Sequence, residues 1–226
     1  MKDVIIVSGG NIQRDFALDF LQKNKKENVC LIAADKGVEF FIKTDWVPDV
    51  AVGDFDSLSS AGEKYLNTLK ETEIVRLKPE KDDSDTQSAV NFAIDRGAKN
   101  ITIFGATGNR IDHLIANFGL LVLGRERGAD ITLIDQWNYM KLIESGTVLK
   151  KKTQFGKYVS FFSLEGDMPG LTLVGFKYPL NHYHLRFSDS GLTVSNEIEA
   201  EEAVVSFDGK TLLMLHTKTF SGRISI

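Results

Sequence analysis

The chain has 226 residues, of which 42% are hydrophobic and 26% charged, the balance of an ordinary globular protein that is long enough to bury a core. Its formal net charge of -4 argues against a nucleic-acid surface, and no segment is long and apolar enough to cross a membrane. The single cysteine, Cys30, excludes an internal disulfide, and no signal peptide is visible, so we expect a cytoplasmic protein with a buried, inert thiol.

The first half of the chain alternates short β-branched runs with longer segments of helical periodicity. The runs predict six strands, at residues 4–7, 29–34, 50–52, 74–77, 101–104 and 131–134. A helix around Val38 and Phe41 is expected after the second strand. Apolar strands separated by helices are typical of a parallel sheet covered on both faces. Residues 1–136 are therefore predicted to form a doubly wound α/β domain with a mostly parallel sheet.

After about residue 136 the helical periodicity disappears and short strands follow one another. Eight are predicted, at residues 140–144, 147–151, 158–164, 171–174, 182–187, 192–197, 203–207 and 212–217. Turn signals separate them, among them Met168-Pro169-Gly170 and Asp208-Gly209. This pattern predicts a small all-β sandwich domain over residues 137–226.

Polar clusters of the first half fall where predicted strands end, the edge at which open parallel sheets bind ligands. The run from Val50 stops at Gly53 and then presents Asp54 and Asp56. If the strand continues past the glycine, alternation puts both carboxylates on one side, which is a metal-ligand arrangement. A solvated turn is the alternative. Asp35 follows the second strand in the same way.

A second acidic cluster, with Asp82, Asp83 and Asp85, precedes a helix. Ser84 and Gln87 have capping-box spacing, which predicts Ser84 as the N-cap with Asp85 in the first turn. The helix dipole accounts for acids at this end but not for their crowding at a strand exit, so a metal or substrate role is favoured.

A glycine-bearing loop, Gly105-Ala106-Thr107-Gly108, leads through Arg110 into a further helix. Loop amides at a helix N-terminus suit an anion, and the Arg110 fork matches phosphate oxygens. For His113, beside Asp112, a structural role is favoured over a catalytic dyad. With the acids, the loop indicates Mg²⁺ held by carboxylates and nucleotide phosphates.

The second half offers fewer chemical signals. Thr193, Ser195 and Glu197 would share one face of a strand, and Tyr178 lies in a loop broken by proline. His182 and His184 have the spacing of zinc ligands but no third ligand, so surface or interface packing is favoured over zinc.

This combination resembles the thiamine pyrophosphokinases, which transfer a diphosphoryl group from ATP to thiamine. The resemblance covers essentially the whole chain and is carried, in order, by residues 33–37, 48–49, 53–57, 81–85, 105–113 and 195–196. It implies Mg-ATP at the strand exits and a homodimer with the active site at the subunit interface.

The resemblance also implies roles for individual residues. It places Mg²⁺ on Asp54, Asp56 and Asp85, which together with Asp82 and Arg110 form the implied catalytic set. The implied nucleotide and phosphate site consists of Asp35, Lys81, Asp82, Ser84, Gly105, Thr107, Arg110 and Asp112. Ser195 and Asn196 match the thiamine-contacting motif. Tyr178 stands where eukaryotic members stack a tryptophan, and its ring suits the cationic thiazolium.

The expected chemistry is attack of the thiamine hydroxyl on the β-phosphorus of ATP, with AMP leaving and one of the carboxylates accepting the proton. Which carboxylate does so stays open. Two rivals are a phosphatase of the haloacid-dehalogenase type, suggested by Asp54-Phe55-Asp56, and a non-catalytic module that binds ATP without turnover.

Overall fold

The structure, a computed structural model, describes residues 2–78, 83–108, 110–164, 166–189 and 191–219. The chain divides into two compact units, Met1–Gln136 and Trp137–Ile226. No helix among the described residues has the length and apolar character needed to cross a membrane.

The first unit contains six parallel strands in the order β6-β5-β1-β2-β3-β4. Their bounds are β1 (Asp3–Val7), β2 (Val29–Ala34), β3 (Val50–Gly53), β4 (Glu73–Arg76), β5 (Asn100–Phe104) and β6 (Asp130–Ile134). The predicted mostly parallel α/β sheet is confirmed. The strand order reverses between β1 and β5, and such a switch point is where an open sheet forms a ligand crevice.

Helices connect these strands. They are α1 (Arg14–Asn24), α2 (Ser60–Leu66), α3 (Asp85–Asp95) and α4 (Ile111–Glu126), with a 3-10 helix at Asp35–Phe41. Ser59 and Ser84 cap α2 and α3, and each hydroxyl accepts a hydrogen bond of 3.2 Å from the backbone N–H three residues later. The predicted N-cap role of Ser84 is confirmed.

Burial explains why the apolar runs form the central strands. Every residue of β1 after Asp3 is buried, and so is every residue of β2 except Cys30. A strand that is buried on both faces needs apolar side chains at consecutive positions, and the sequence supplies them. Cys30 itself is partly exposed, so the expectation of a buried thiol was wrong.

The strands of the second unit pair antiparallel in two four-stranded sheet segments, in the orders β12-β9-β14-β7 and β11-β10-β13-β8. Their strands are β7 (Asn138–Ile143), β8 (Thr147–Lys150), β9 (Tyr158–Phe162), β10 (Met168–Val174), β11 (Leu180–Leu185), β12 (Asn196–Glu197), β13 (Glu202–Ser206) and β14 (Leu212–Thr217). Phe161 on β9 and Leu171 on β10 belong to one hydrophobic core to which both sheets contribute.

The helix expected around Val38 is present, as a 3-10 helix. Two other local predictions were wrong. The strand expected over residues 192–197 is reduced to β12, because Ser195 adopts a left-handed φ of 58° that a strand does not accommodate. The turn expected at Met168-Pro169-Gly170 lies inside β10, where the ladder to β11 is irregular.

Candidate active site

The exits of β2 and β3 bring three carboxylates together. Asp35 follows β2, whereas Asp54 and Asp56 follow β3, and one carboxylate oxygen of each lies within 4.8 Å of the others. Because β2 and β3 are parallel neighbours, their carboxyl ends meet at the same edge of the sheet. We call these three residues the acidic group.

The loop after β3 aims Asp54 and Asp56 by a turn. The strand ends at Gly53, so the expected continuation with side-chain alternation was wrong. Phe55 takes a left-handed φ of 65°, and its buried ring lies 5.3 Å below the Arg76 guanidinium. The backbone N–H of Asp56 donates to Asp54 Oδ1 at 3.2 Å. The buried aromatic ring thus anchors the loop while the acids on either side remain accessible.

Asp35 is held in position by its neighbours. It has a left-handed φ of 45°, and Gly53 packs so closely against its backbone that a Cβ at position 53 would lie 2.9 Å from Asp35 Cα. The Ser57 hydroxyl donates to Asp35 Oδ2. Asp35 Oδ1 is buried and accepts no hydrogen bond from any described residue. A buried carboxylate oxygen without a donor is costly, and a bound cation would satisfy it.

The acids also affect one another electrostatically. The pKa of Asp56 is raised, first by the charge of Asp54, then by its hydrogen bond with Asp54, by desolvation, and by the charges of Asp35 and Asp85. Asp85, the first residue of α3, therefore lies close enough to act on the acidic group, although it is not one of the three residues within 4.8 Å. Like charges this close are stabilised by a cation.

The donors of this edge fit Mg²⁺. They are carboxylate oxygens, the ligand type that Mg²⁺ prefers, and one of them is buried and unpartnered among the described residues. Sequence reasoning placed Asp35 with the nucleotide and missed its place in this group. The available signal was its position at the exit of the strand next to β3.

The start of α3 is ordered by side-chain hydrogen bonds. Asp83 accepts from Gln87 Nε2 at 2.6 Å and from Asn91 Nδ2 at 3.0 Å. Gln87 therefore bonds to Asp83 rather than closing the capping box on Ser84, whose hydroxyl caps the helix. Lys81 and Asp82, both predicted site residues, lie outside the described residues.

Two glycine loops meet at the switch point. The N–H of Gly10, after β1, donates to the carbonyl of Gly105, after β5, at 3.1 Å. A Cβ at Gly10 would overlap that carbonyl oxygen, and Gly105 has a φ of 72°, so both positions require glycine. The buried Ser8 and Thr86 hydroxyls are 2.6 Å apart and link the end of β1 to α3. Thr107, a predicted nucleotide contact, is partly exposed beside it.

Arg110 and Asp112 form an exposed pair at the start of α4. Arg110 Nε donates to Asp112 Oδ1 at 3.1 Å, and a second guanidinium nitrogen donates to Oδ2. The hydrogen bond raises the pKa of Arg110 and lowers the pKa of Asp112. The Arg110 guanidinium, which was predicted to bind phosphate, thus binds the carboxylate of Asp112. An anion would have to compete with that carboxylate. His113 is exposed, and its backbone N–H donates to Asp112 Oδ1.

The second unit brings its three predicted site residues together. Asn196 is buried and bonds through its side-chain amide to the backbone of Tyr178, a residue that is 56% exposed. Ser195, which precedes it, is exposed. Of the two histidines with zinc-like spacing, His184 lies 3.0 Å from Asp167 Oδ2.

Comparison with known proteins identifies relatives for both units. The family "Thiamin pyrophosphokinase, catalytic domain" matches residues 21–133, and "Thiamin pyrophosphokinase, vitamin B1 binding domain" matches residues 146–212. Thiamine pyrophosphokinase of Bacillus subtilis (strain 168) is 33% identical over 219 residues, covering 96% of this chain and 99% of that protein.

Solved structures show the same similarity. Thiamine pyrophosphokinase from Bacillus subtilis superposes with a TM-score of 0.84 at 30% identity, covering 97% of this chain and 100% of that one. The enzyme from Geobacillus thermodenitrificans gives a TM-score of 0.82 at 29% identity, with coverages of 96% and 98%.

The chain combines a parallel α/β unit that has acids at its strand exits with an antiparallel β unit that has an exposed tyrosine, and its relatives place it among the transferases of the kinase type. The match in sequence and in fold extends over nearly the whole chain. The chain belongs to the thiamin pyrophosphokinase family and is an enzyme of that family.

Proposed function

We propose that the enzyme transfers a diphosphoryl group from ATP to the hydroxyl of thiamine in a Mg²⁺-dependent reaction, giving thiamine diphosphate and AMP. In this proposal residues 1–136 bind the nucleotide and residues 137–226 bind thiamine. Family membership supports both substrates. The observation that carries the proposal is the acidic group, in which Asp35 Oδ1 is buried and has no hydrogen-bond partner among the described residues.

Asp54, Asp56 and Asp85 are the proposed magnesium ligands, and the structure's geometry leads us to add Asp35. When bound, the metal supplies positive charge to phosphate oxygens. The protein positions the carboxylates. Phe55 anchors the loop that carries Asp54 and Asp56, and Ser57 orients Asp35 by its hydrogen bond. These contacts fix the carboxylates before substrate arrives, which lowers the cost of ordering them during the reaction.

The switch-point loops are the proposed phosphate contacts. Gly10 and Gly105 allow backbone to approach the ligand closely, and the beginning of α4 presents N–H groups and a partial positive charge. Lys81, Asp82, Ser84, Thr107, Arg110 and Asp112 complete the proposed nucleotide site. Arg110 serves in it by exchanging Asp112 for a phosphate oxygen, since phosphate matches the same fork.

The proposed transfer forms one bond and breaks one. The thiamine hydroxyl oxygen bonds to the β-phosphorus, the bond from that phosphorus to the oxygen bridging to the α-phosphorus breaks, and AMP leaves with that oxygen. The hydroxyl proton passes to a carboxylate of the strand exits. Tyr178 and Ser195 in the second unit are the proposed thiamine contacts, with the tyrosine ring facing the cationic heterocycle. The proposal includes a homodimer with the active site at the subunit interface.

Phosphorus NMR of the purified enzyme with ATP, Mg²⁺ and thiamine tests the reaction. We expect AMP and thiamine diphosphate to appear together in equal amounts. Free phosphate, with phosphorylated Asp54 trapped by mass spectrometry, would instead support a phosphatase. ATP binding without any new phosphorus signal would support a nucleotide sensor. Either result would contradict the proposal.

A further inference from the structure

We infer that Asn196 is a positioning residue, which holds the backbone of Tyr178 in place, and that the direct thiamine contact of the Ser195-Asn196 pair belongs to Ser195. The inference rests on the proposed function, because it concerns how the second unit holds the proposed substrate. The resemblance assigns thiamine contact to both Ser195 and Asn196, whereas this inference keeps the contact for Ser195 and gives Asn196 a positioning role.

The side chain of Asn196 is already engaged. Asn196 is 1% exposed, and its Nδ2 donates to the Tyr178 carbonyl at 2.7 Å. Its Oδ1 accepts two hydrogen bonds, from the Tyr178 N–H at 3.0 Å and from the Glu197 N–H at 2.9 Å. A carbonyl oxygen has two lone pairs, so Oδ1 has none left for a ligand donor. The buried amide therefore acts as a clamp on Tyr178.

The loop that carries Tyr178 needs this clamp. It connects β10 and β11, so Tyr178 has no partner in the strand ladders. Lys177 N–H donates to the Glu197 carbonyl at 2.9 Å, and among the described contacts the backbone of the next residue, Tyr178, is held by the Asn196 side chain. Pro179 follows and has no N–H to donate. The amide of Asn196 thus supplies the two hydrogen bonds that a neighbouring strand would supply.

The position of the tyrosine ring depends on its backbone. Tyr178 is 56% exposed, and Lys177 Nζ lies 5.5 Å from its ring centroid. Lys177 is held in turn by Glu197 at 3.2 Å. Because no core packing fixes the ring, movement of the Tyr178 backbone moves the platform on which the substrate is proposed to stack.

Ser195 is placed differently. Its left-handed φ of 58° turns the chain, and its N–H donates to Ser160 Oγ at 3.0 Å. Its hydroxyl is not used in any hydrogen bond with the described residues and lies on the surface beside the clamp. A free hydroxyl is able to donate to or accept from a ligand, which the Oδ1 of Asn196 is not.

A double-mutant cycle tests this division. For Asn196→Ala we expect the KM for thiamine to rise about tenfold, the worth of one or two hydrogen bonds, with the KM for ATP and kcat nearly unchanged. In a Tyr178→Ala background the same change should have almost no further effect on the KM for thiamine, since the clamp acts through the ring. Ser195→Ala should raise that KM by the same factor in both backgrounds.

Equal effects of Asn196→Ala in both backgrounds would overturn the inference and restore a direct contact. If the alanine variant does not fold, Asn196→Asp is the second variant, because one carboxylate oxygen keeps both acceptor bonds while the other replaces the donation to the Tyr178 carbonyl with a repulsive contact between two oxygens. The same loss of additivity is expected.

Hydrogen exchange gives a readout that is independent of activity. The Tyr178 amide should exchange faster in Asn196→Ala than in the unaltered protein, while Asn181→Ala, a change of an exposed asparagine on β11, should leave it unaffected. Unchanged exchange in Asn196→Ala would overturn the clamp. An unaltered enzyme that forms no thiamine diphosphate would instead contradict the proposed function, so the two failures are distinguishable.

Discussion

Replacing Asp35 by asparagine should have opposite effects on stability and on magnesium binding. Without metal, Asp35 contributes a charge beside Asp54, with their nearest oxygens no more than 4.8 Å apart. Two unit charges at that spacing repel by about 0.9 kcal/mol in bulk water and about 3.5 kcal/mol at an effective dielectric of 20. Both side chains are partly exposed and screened by salt, so we take about 1 kcal/mol as the relief.

Asparagine also suits the left-handed backbone at position 35, and its amide oxygen can still accept from Ser57. In EDTA, the Asp35→Asn variant should therefore unfold at a temperature about 2–4 °C higher than the unaltered protein. With Mg²⁺ at a hundred times its dissociation constant the unaltered protein gains about 2.7 kcal/mol, and a tenfold weaker variant would gain only about 1.4 kcal/mol. Scanning calorimetry in EDTA and in Mg²⁺ measures both effects.

Asp45→Asn is the matched control, because Asp45 is an exposed aspartate outside the acidic group. It should change neither the unfolding temperature in EDTA nor the gain from Mg²⁺. If Asp35→Asn were less stable than the unaltered protein in EDTA, or gained as much from Mg²⁺, Asp35 would not be a ligand and the account of its unpartnered oxygen would be refuted.

Three further predictions follow from the same site and its surroundings. Asp56→Asn should lower kcat by about a hundredfold or more with an unchanged circular dichroism spectrum, because a proposed ligand of the metal that neutralises phosphate charge is lost, and near-normal turnover would exclude Asp56 as a ligand. Gly10→Ala should weaken ATP binding measured by calorimetry, since the new Cβ forces the loop away from Gly105, whereas an unchanged affinity would remove this loop from the nucleotide site. Burial, followed by the charge of Asp49, raises the pKa of Cys30 from 9.0 to about 11. Iodoacetamide should therefore label the native thiol about a hundredfold more slowly than the unfolded chain at pH 8, and equal rates would contradict this.

The sheet of the first unit was accessible from sequence because its strands are buried on both faces. The run that forms β2 is apolar at almost every position and only six residues long. Among common secondary-structure elements, this combination is typical of a strand that is buried on both faces. The position of the candidate site was accessible for a related reason: polar residues that directly follow such runs must lie at the carboxyl edge of the sheet. Asp54 and Asp56 were predicted as candidate ligands in this way, and the structure places both at that edge.

Other features depend on contacts that sequence does not display. The role of Asp35 in the acidic group follows from the pairing of β2 with β3, and its unpartnered oxygen follows from the position of Ser57. The left-handed backbone of Ser195 interrupts a predicted strand without glycine or proline to signal it. The clamp of Asn196 on Tyr178 joins residues 18 positions apart and depends on the path of two loops.

The most direct test of the account is the fate of the β-phosphorus of ATP. The enzyme should be incubated with thiamine, Mg²⁺ and ATP that carries radioactive phosphorus at the β position, and the products separated by chromatography. Diphosphoryl transfer predicts that the label enters thiamine diphosphate while the AMP is unlabelled. Label retained in ADP, with or without phosphorylated thiamine, would show that only the terminal phosphoryl group moves and would contradict the proposed reaction.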